Sequence, residues 1–354
     1  MVLQEASLLR HFFLPQDDTG GHTHSATLEG VPSGWRSSVM RDMAWLLNAP
    51  DLVTLGNIPG RPSLATLGLQ SSADIDAWLH CQQDALHHLP LRELRHARMG
   101  HYHERLWHYL LDHAPGTRLL ARNVRIFAQR NTRGELDMLY RTCQNPTPIH
   151  LEVAIKFYLG LPDGPGAADS QSRWIGPGGF DSLDIKRYHM QHRQLPLSTT
   201  ADARRALRHW LTPRDSLANN GPEPVAIAHQ MAMPGILYYP WHADLPPPEG
   251  ATPEHRRGIW CHASDWPALA ASLAPDTLAT WLTKPHWLAP PPLEQWHSLA
   301  EIVEQTHLYA DQKQTGPKRW PQQLMCYTPA DDQTTRIFIV PNQWPTHIPL
   351  PAPP

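Results

Sequence analysis

The order of structural elements in the central third of the chain restricts its fold more than any other feature. A proline-free run of helix-forming residues extends from Leu91 to His113 and ends at Pro115-Gly116. Three strand candidates follow it, at Leu119 to Gln129, Glu135 to Arg141 and Ile149 to Leu159. This order predicts an α/β (α+β) fold with a central sheet flanked by helices.

The whole chain divides into three segments. Residues 1–90 are predicted to form a helical N-terminal segment, in which Asp74 to Leu89 is one of the helices. Residues 91–215 form the core segment. Residues 216–354 form a proline- and tryptophan-rich α+β extension with a short strand at Arg336 to Val340. Whether this extension folds separately or packs with the core as one domain is left open.

Composition limits the classes of protein to which the chain can belong. Hydrophobic residues make up 41% and charged residues 18% of the sequence. Because it contains no run of about 18 apolar residues, we expect no membrane-spanning helix. The segment from Met1 to Gln16 lacks the charged start and apolar block of a secretion signal, which predicts a cytoplasmic protein. The four scattered cysteines argue against a disulfide framework.

Arginine is concentrated in two stretches. The net charge of −3 gives no general sign of nucleic-acid binding, so any such function has to come from local basic surfaces. Residues 92–130 hold eight Arg against three acids, and residues 173–214 hold eight Arg or Lys against three acids. These stretches predict either phosphate-binding surfaces or ordinary solvated helix faces.

Two carboxylates on neighbouring strand candidates are the main chemical feature. Alternate residues of a strand share a face, so Glu152 and Lys156 project together from the third strand. A hairpin that pairs residue 137 with residue 152 would place the Asp137 and Glu152 carboxylates side by side, where they could hold a divalent ion. An ordinary cross-strand ion pair is the alternative. The apolar run Val153 to Leu159 favours the site, because a charge buried in it needs a partner.

Glu104 is a further candidate acid on the preceding helix. It lies between His101 and His108, which are three and four residues away and therefore share its helical face. The His103-Glu104 pair is not a zinc-protease motif, because that motif requires a second histidine at position 107, which is Trp.

A set of short motifs extends over most of the chain. They are His101 to Trp107, Gly134 to Asp137, Leu151 to Leu159, Arg41 to Leu47, Trp174 to Pro177, Asp181 to Lys186, Gln194 to Ser198 and Val340 to Pro345. As a set, they resemble a bacterial family of unknown function that is grouped with the PD-(D/E)xK nuclease-like superfamily.

This resemblance implies a restriction-endonuclease-like core of one helix, a three-stranded mixed sheet, a second helix and a further strand. It also implies metal-dependent phosphodiester hydrolysis, in which Asp137 matches the first acid of the motif, Lys156 its lysine, and Glu104 the acid of the preceding helix. The second acid usually stands two residues before the lysine, where this chain has Ala154. The nearest acid on that face, Glu152, lies about 6.6 Å further along the strand.

Three residues after the strands are predicted to contact substrate. Asp181 and Lys186 fall on a helix expected from about Asp181 to Gln194, from which they could approach phosphates. For Asp181 the alternative is a first-turn acid that interacts with the helix dipole. For Gln194 the alternatives are contact with a nucleotide and capping of the helix end.

The leading hypothesis is a divalent-metal-dependent nuclease that acts on DNA rather than RNA. In it, Asp137 and Glu152 bind Mg²⁺ or Mn²⁺, Glu104 assists, and Lys156 positions water or stabilises charge. One alternative is a catalytically inactive nuclease-like module that binds nucleic acid. The other is a protein-interaction scaffold that uses residues 216–354, for which the sequence identifies no partner.

Overall fold

The computed structural model describes residues 27–28, 31–32, 35, 37–87, 98–211, 226–311 and 322–352. The helices within these ranges are α1 (Ser38–Asn48), α2 (Leu64–Leu67), α3 (Ser72–His87), α4 (Met99–His113), α5 (Leu183–His189), α6 (Ala201–Leu211), α7 (Trp266–Ser272) and α8 (Leu299–Asp311). A π-helical turn (Met190–Gln194) directly follows α5, and 3₁₀ turns span Gln171–Arg173, Leu195–Thr199 and Leu293–Gln295.

The strands form two mixed sheets, one of eight and one of four strands, and one separate pair. In chain order they are β1 (Thr27–Leu28), β2 (Val31–Pro32), β3 (Thr117–Ala128), β4 (Asn131–Thr142), β5 (Ile149–Val153), β6 (Lys156–Gly160), β7 (Trp174–Ile175), β8 (Ala228–Ala232), β9 (Gly235–Pro240), β10 (Arg257–His262), β11 (Leu278–Leu282), β12 (His297–Ser298), β13 (Gln322–Thr328) and β14 (Gln333–Val340). The four-stranded sheet has the order β3-β4-β5-β8, and the eight-stranded sheet has the order β12-β11-β13-β14-β10-β9-β6-β7. β1 and β2 pair with each other. The predicted mixed α/β architecture with helix-flanked sheets is therefore confirmed.

The expected helix before the strands is present as α4. Its apolar face is buried at Tyr102, Leu106, Tyr109 and Leu110. The part of the predicted helix that precedes Arg98 lies outside the described residues. The helix ends at His113, and its C-cap Ala114 is extended because a residue that precedes proline avoids the helical conformation.

β3 and β4 form a hairpin with a tighter turn than the sequence suggested. Ala128 pairs with Asn131, so only two residues connect the strands, and the first of them, Gln129, has a φ of 57°. The break expected between the two strands at residues 130–134 is absent, because β4 runs through Gly134. Its pairing with β3 shifts register there, between Ile126 and Phe127.

The strand predicted from Ile149 to Leu159 is divided between the two sheets. β5 pairs with β8 in the four-stranded (small) sheet, and β6 pairs with β9 in the eight-stranded (large) sheet. Both pairs are parallel and follow one continuous register. The Ala154 N–H donates to Ala232 O, and the Lys156 N–H donates to Pro234 O, so the ladder continues across the division. Gly235 is required there, because a Cβ at this position would lie 1.8 Å from Lys156 O.

The three sequence segments contribute to one apolar core. Side chains of α1, α3 and α4 pack against odd-numbered residues of β5 and β6 and against β9, β10 and β14. The opposite face of β6 is covered by apolar residues of the segment that contains α5 and the π-helical turn, among them Leu183 and Met190. The central strands are therefore covered on both faces, as their apolar sequence predicted. None of the helices in the described ranges combines the length and apolar character needed to cross a bilayer.

Candidate functional site

The Asp137 and Glu152 side chains lie opposite each other at the β4–β5 junction. β4 and β5 are antiparallel with Met138 paired to Leu151, and the same register sets residue 137 against residue 152. Each carboxyl group accepts a hydrogen bond from the backbone of the other strand: the Val153 N–H donates to Asp137 Oδ2 at 3.0 Å, and the Asp137 N–H donates to Glu152 Oε1 at 3.4 Å. The sequence-predicted pair is thus brought together by the hairpin register.

Burial makes this pair difficult to ionise. Glu152 is fully buried at 0% exposure, and Asp137 is half-buried. Desolvation, followed by the Glu152 charge, raises the pKa of Asp137 to about 8. Desolvation also raises the pKa of Glu152 to about 7, against the lowering effect of the Asp137 N–H hydrogen bond. Near neutral pH at least one of the two carboxyl groups is therefore protonated.

Lys186 is connected to the carboxylate pair through an amide. The Lys186 Nζ donates to Gln194 Oε1 at 2.9 Å, and the Gln194 Nε2 donates to Glu152 Oε2 at 2.6 Å. The π-helical turn after α5 carries Gln194 into this position. Gln194, the last residue of this turn, therefore connects the Lys186 amine to the Glu152 carboxyl group through its side-chain amide.

Lys156 has a different partner. Its ammonium forms an ion pair with Asp181, which also accepts a hydrogen bond at 3.2 Å from the Tyr158 O–H. Asp181 is not a residue of α5: Ser182 caps the helix by accepting from the Ile185 N–H, and the first-turn acid is Asp184. The Lys156 side chain is 27% exposed, so this pair lies at the border of the protein interior.

The two groups of charges meet at Lys186. Burial lowers the pKa of Lys186, and the neighbouring Lys156 charge lowers it further. Glu152, Asp137 and Asp181 act in the opposite direction. Lys186 therefore acts electrostatically on both carboxyl groups of the pair. The sequence analysis predicted it as a substrate contact. Lys156 forms its ion pair with Asp181 instead.

Glu104 lies beside the pair on α4. Its carboxylate is 3.8 Å from His101 Nδ1 and 3.6 Å from His108 Nε2, and it also accepts a hydrogen bond from Asn123. Its negative charge contributes to the raised pKa values of Asp137 and Glu152. Glu104 therefore influences the pair through space.

A buried polar chain behind Glu152 was not predicted. His150 Nε2 is 2.7 Å from Glu152 Oε1, His150 Nδ1 is 3.1 Å from Ser198 Oγ, and Ser198 Oγ is 2.9 Å from His229 Nε2. Burial lowers the pKa of His150 to about 4, which keeps its ring neutral at neutral pH. Strand alternation could have identified His150, because it precedes Glu152 by two residues on the same face.

The carboxylate pair is the candidate donor set for a metal ion. In the described ranges, no group of three or more His, Cys, Asp or Glu side chains is arranged so that it could hold a metal ion. Mg²⁺ is commonly bound through one or two carboxylates, with water and substrate oxygens as the remaining ligands, so a pair is sufficient. Glu152 would have to exchange some of its present hydrogen bonds for such an ion.

An arginine-rich surface flanks the small sheet. It combines the edge strand β3 with α6, which packs on β3 through Ala121, Ile126, Ala203 and Leu207. Six arginines of these two elements are exposed, and we refer to them together as the arginine surface: Arg118, Arg122, Arg125, Arg204, Arg205 and Arg208. Two of them form ion pairs, Arg125 with Glu135 and Arg205 with Asp202.

Comparison with known proteins identifies a family and no activity. No curated protein and no solved structure matches this chain. The sequence profile of one family, described as Domain of unknown function (DUF1853), matches residues 41–340. The expected family of unknown function is therefore confirmed, and nothing in the match links it to the PD-(D/E)xK superfamily. Because the match covers most of its length, the chain belongs to the DUF1853 family.

Proposed function

We propose that this protein is a divalent-metal-dependent nuclease that hydrolyses phosphodiester bonds, with DNA as the preferred substrate. The observation that carries the proposal is the buried pair of opposed carboxylates, Asp137 and Glu152, connected to the Lys186 amine through Gln194. Two buried acids side by side are costly for folding, and a bound cation is a common way to offset that cost.

The order of elements around the pair also supports the proposal. When β6 and β7, which belong to the eight-stranded sheet, and α6 are left out, α4 is followed by the antiparallel strands β3, β4 and β5, then by α5, and then by β8, which is parallel to β5. The same order of helix, three strands, helix and strand is implied by the resemblance to the PD-(D/E)xK superfamily.

Asp137 and Glu152 would hold Mg²⁺ or Mn²⁺, which supplies polarisation of a phosphoryl oxygen and a water of lowered pKa. Both carboxyl groups have to be deprotonated for this role, so metal affinity should increase with pH. Gln194 orients Glu152 through the 2.6 Å hydrogen bond to Oε2 and holds Lys186 beside it. The Lys186 ammonium stabilises negative charge on the phosphate, and Lys156 is a second cation once substrate competes with Asp181.

The arginine surface supports nucleic acid as the substrate. Its β3 arginines lie in the four-stranded sheet that also contains Asp137, and β3 pairs directly with β4. Exposed arginines neutralise backbone phosphates without reading sequence, and they would position a duplex or single strand relative to the carboxylates.

Cleavage of labelled DNA and RNA, single- and double-stranded, in Mg²⁺ and in Mn²⁺ tests the proposal. Asp137→Asn and Glu152→Gln should each reduce the rate about 10²–10³-fold, and Lys186→Met should reduce it more than Lys156→Met. The matched controls are Asp84→Asn and Glu304→Gln, which change exposed acids of α3 and α8 and should leave the rate unchanged. Cleavage that is equal in the wild type and the Asp137 and Glu152 variants would refute the proposal.

A second candidate is a nuclease-like module that binds nucleic acid without cleaving it. It is favoured by Ala154 at the usual acid position and by the Lys156–Asp181 ion pair, which occupies the motif lysine. This candidate predicts salt-dependent DNA binding that is the same with Mg²⁺ and with a chelator, and no cleavage under any condition.

A further inference from the structure

A second polar cluster lies where α1 meets the segment after β11. Ser38 Oγ is 3.2 Å from His286 Nε2, and His286 Nδ1 is 2.7 Å from Asp42 Oδ2. Ser38 and Asp42 are one helical turn apart on α1, so both side chains reach His286 from the same face of that helix. A hydroxyl, an imidazole and a carboxylate are thus connected in series, through opposite nitrogens of the ring.

The hydrogen bonds around Asp42 assign the His286 tautomer. Asp42 is 1% exposed, and it accepts at Oδ2 from the Tyr102 O–H at 2.5 Å and at Oδ1 from the Ala289 N–H at 3.0 Å. Burial, followed by the Asp42 charge, raises the pKa of Tyr102 well above its usual value, so Tyr102 remains a donor. Because Asp42 serves only as an acceptor here, the His286 Nδ1 carries a hydrogen and its Nε2 presents a lone pair to Ser38.

Ser38 also lies beside a group of hydrogen-bond donors. It is the first residue of α1, and the N–H groups of a first helical turn have no acceptor inside the helix. The preceding Ser37 makes no side-chain hydrogen bond to them. These amides supply hydrogen-bond donors at the end of α1 that carries Ser38.

The site can be reached from solvent. Ser38 is half-buried, and the His286 side chain is 29% exposed, while Asp42 is enclosed. An enclosed acid that orients a partly exposed imidazole next to a partly exposed hydroxyl is the arrangement required for nucleophilic catalysis.

We propose that Ser38, His286 and Asp42 form a second active site, which hydrolyses carboxylic esters through an acyl-serine intermediate. Ser38 Oγ attacks the ester carbonyl carbon as His286 Nε2 takes the hydroxyl proton, and first-turn amides of α1 stabilise the resulting oxyanion. Collapse of this intermediate breaks the bond to the alkoxy group, which leaves as an alcohol with the proton from Nε2. Water, deprotonated by the same nitrogen, then attacks the acyl-serine, releases the carboxylic acid and restores Ser38.

This site shares no residue with the Asp137–Glu152 pair. Its activity therefore requires no divalent ion and is independent of the proposed nuclease function. The hydrogen bonds of Asp42 also attach α1 to residues 286–289, which is a purely structural role. Labelling of Ser38 distinguishes catalysis from this structural role.

The full-length protein should be treated with a fluorophosphonate probe, which reacts with activated serines, and the adduct located by mass spectrometry. We expect one adduct, on Ser38, and a burst of about one p-nitrophenolate per protein from p-nitrophenyl acetate. Ser38→Ala should abolish the adduct, and His286→Gln should slow labelling about 10²–10⁴-fold through loss of the general base.

Ser72→Ala is the matched control, because Ser72 is likewise the first residue of its helix, α3, and is exposed. It should label as the wild type does. Thermal unfolding establishes that each variant is folded, and the wild-type burst gives a result that depends on no variant. Absence of both adduct and burst in the folded wild type, an adduct on another serine, or labelling that is unchanged in folded His286→Gln would overturn the proposal.

Discussion

Replacing Asp137 by Asn should stabilise the protein at alkaline pH and leave its stability almost unchanged at acidic pH. The ordinary pKa of this carboxyl group is 3.8, and in the folded protein it is raised to about 8. Between these values the unfolded chain has lost a proton that the folded protein keeps, so the free energy of unfolding falls as pH rises. Below pH 3.8 this penalty is absent, and above pH 8 it is complete.

The expected magnitude follows from the shift. Each pH unit within the window costs about 1.4 kcal/mol, so the three units from pH 5 to pH 8 cost at most about 4 kcal/mol. Asn is neutral at both pH values, and its side-chain oxygen can still accept from the Val153 N–H. Allowing for relaxation around the pair, Asp137→Asn should gain about 2–4 kcal/mol over the wild type between pH 5 and pH 8.

Urea unfolding of both proteins at pH 5 and pH 8, in the presence of a chelator, measures this difference. Asp84→Asn, which changes an exposed acid on α3, should show the same difference from the wild type at both pH values. Addition of Mg²⁺ at pH 8 should raise the free energy of unfolding of the wild type. It should therefore reduce the difference in stability between Asp137→Asn and the wild type. An effect of Asp137→Asn that is constant with pH, or that becomes less favourable as pH rises, would refute the assignment of a buried and largely protonated pair.

Gly235→Ala should destabilise the protein by at least about 3 kcal/mol, because the new Cβ would meet Lys156 O at 1.8 Å, and urea unfolding measures the loss. Gly100→Ala on α4, where a Cβ meets nothing within 4 Å, is the control and should gain up to about 1 kcal/mol. Neutralising the three arginines of α6 in the arginine surface should weaken DNA binding and reduce the slope of log affinity against log salt by about 2–3, as measured by fluorescence anisotropy. A salt slope that stays the same would exclude α6 from the interface.

Local patterns were sufficient for most elements around the site. The apolar stripe of α4 and the alternation in β3, β4 and β5 depend on residues that are close in sequence, and each of these elements is present. The register that places Asp137 opposite Glu152 was also predictable. Burial of one face of a sheet leaves few possible registers for two adjacent antiparallel strands.

Long-range contacts explain what the sequence did not predict. The division of Ile149 to Leu159 between two sheets depends on the parallel partners β8 and β9, which lie far along the chain. Likewise, a motif position alone does not reveal that Lys156 pairs with Asp181, or that the π-helical turn carries Gln194 back to Glu152. Those contacts depend on how the segment after β7 packs over the sheet.

The parallel pairing of β5 with β8 has a consequence for synthesis of the chain. On the ribosome, the strand that carries Glu152 emerges long before residues 228–232, so one edge of it has no partner during the interval. A fragment that ends at residue 215 would keep that edge open permanently and expose the backbone of this five-residue strand to self-association. Expression trials should therefore extend past β9, and nascent chains arrested before residue 228 are expected to recruit chaperones.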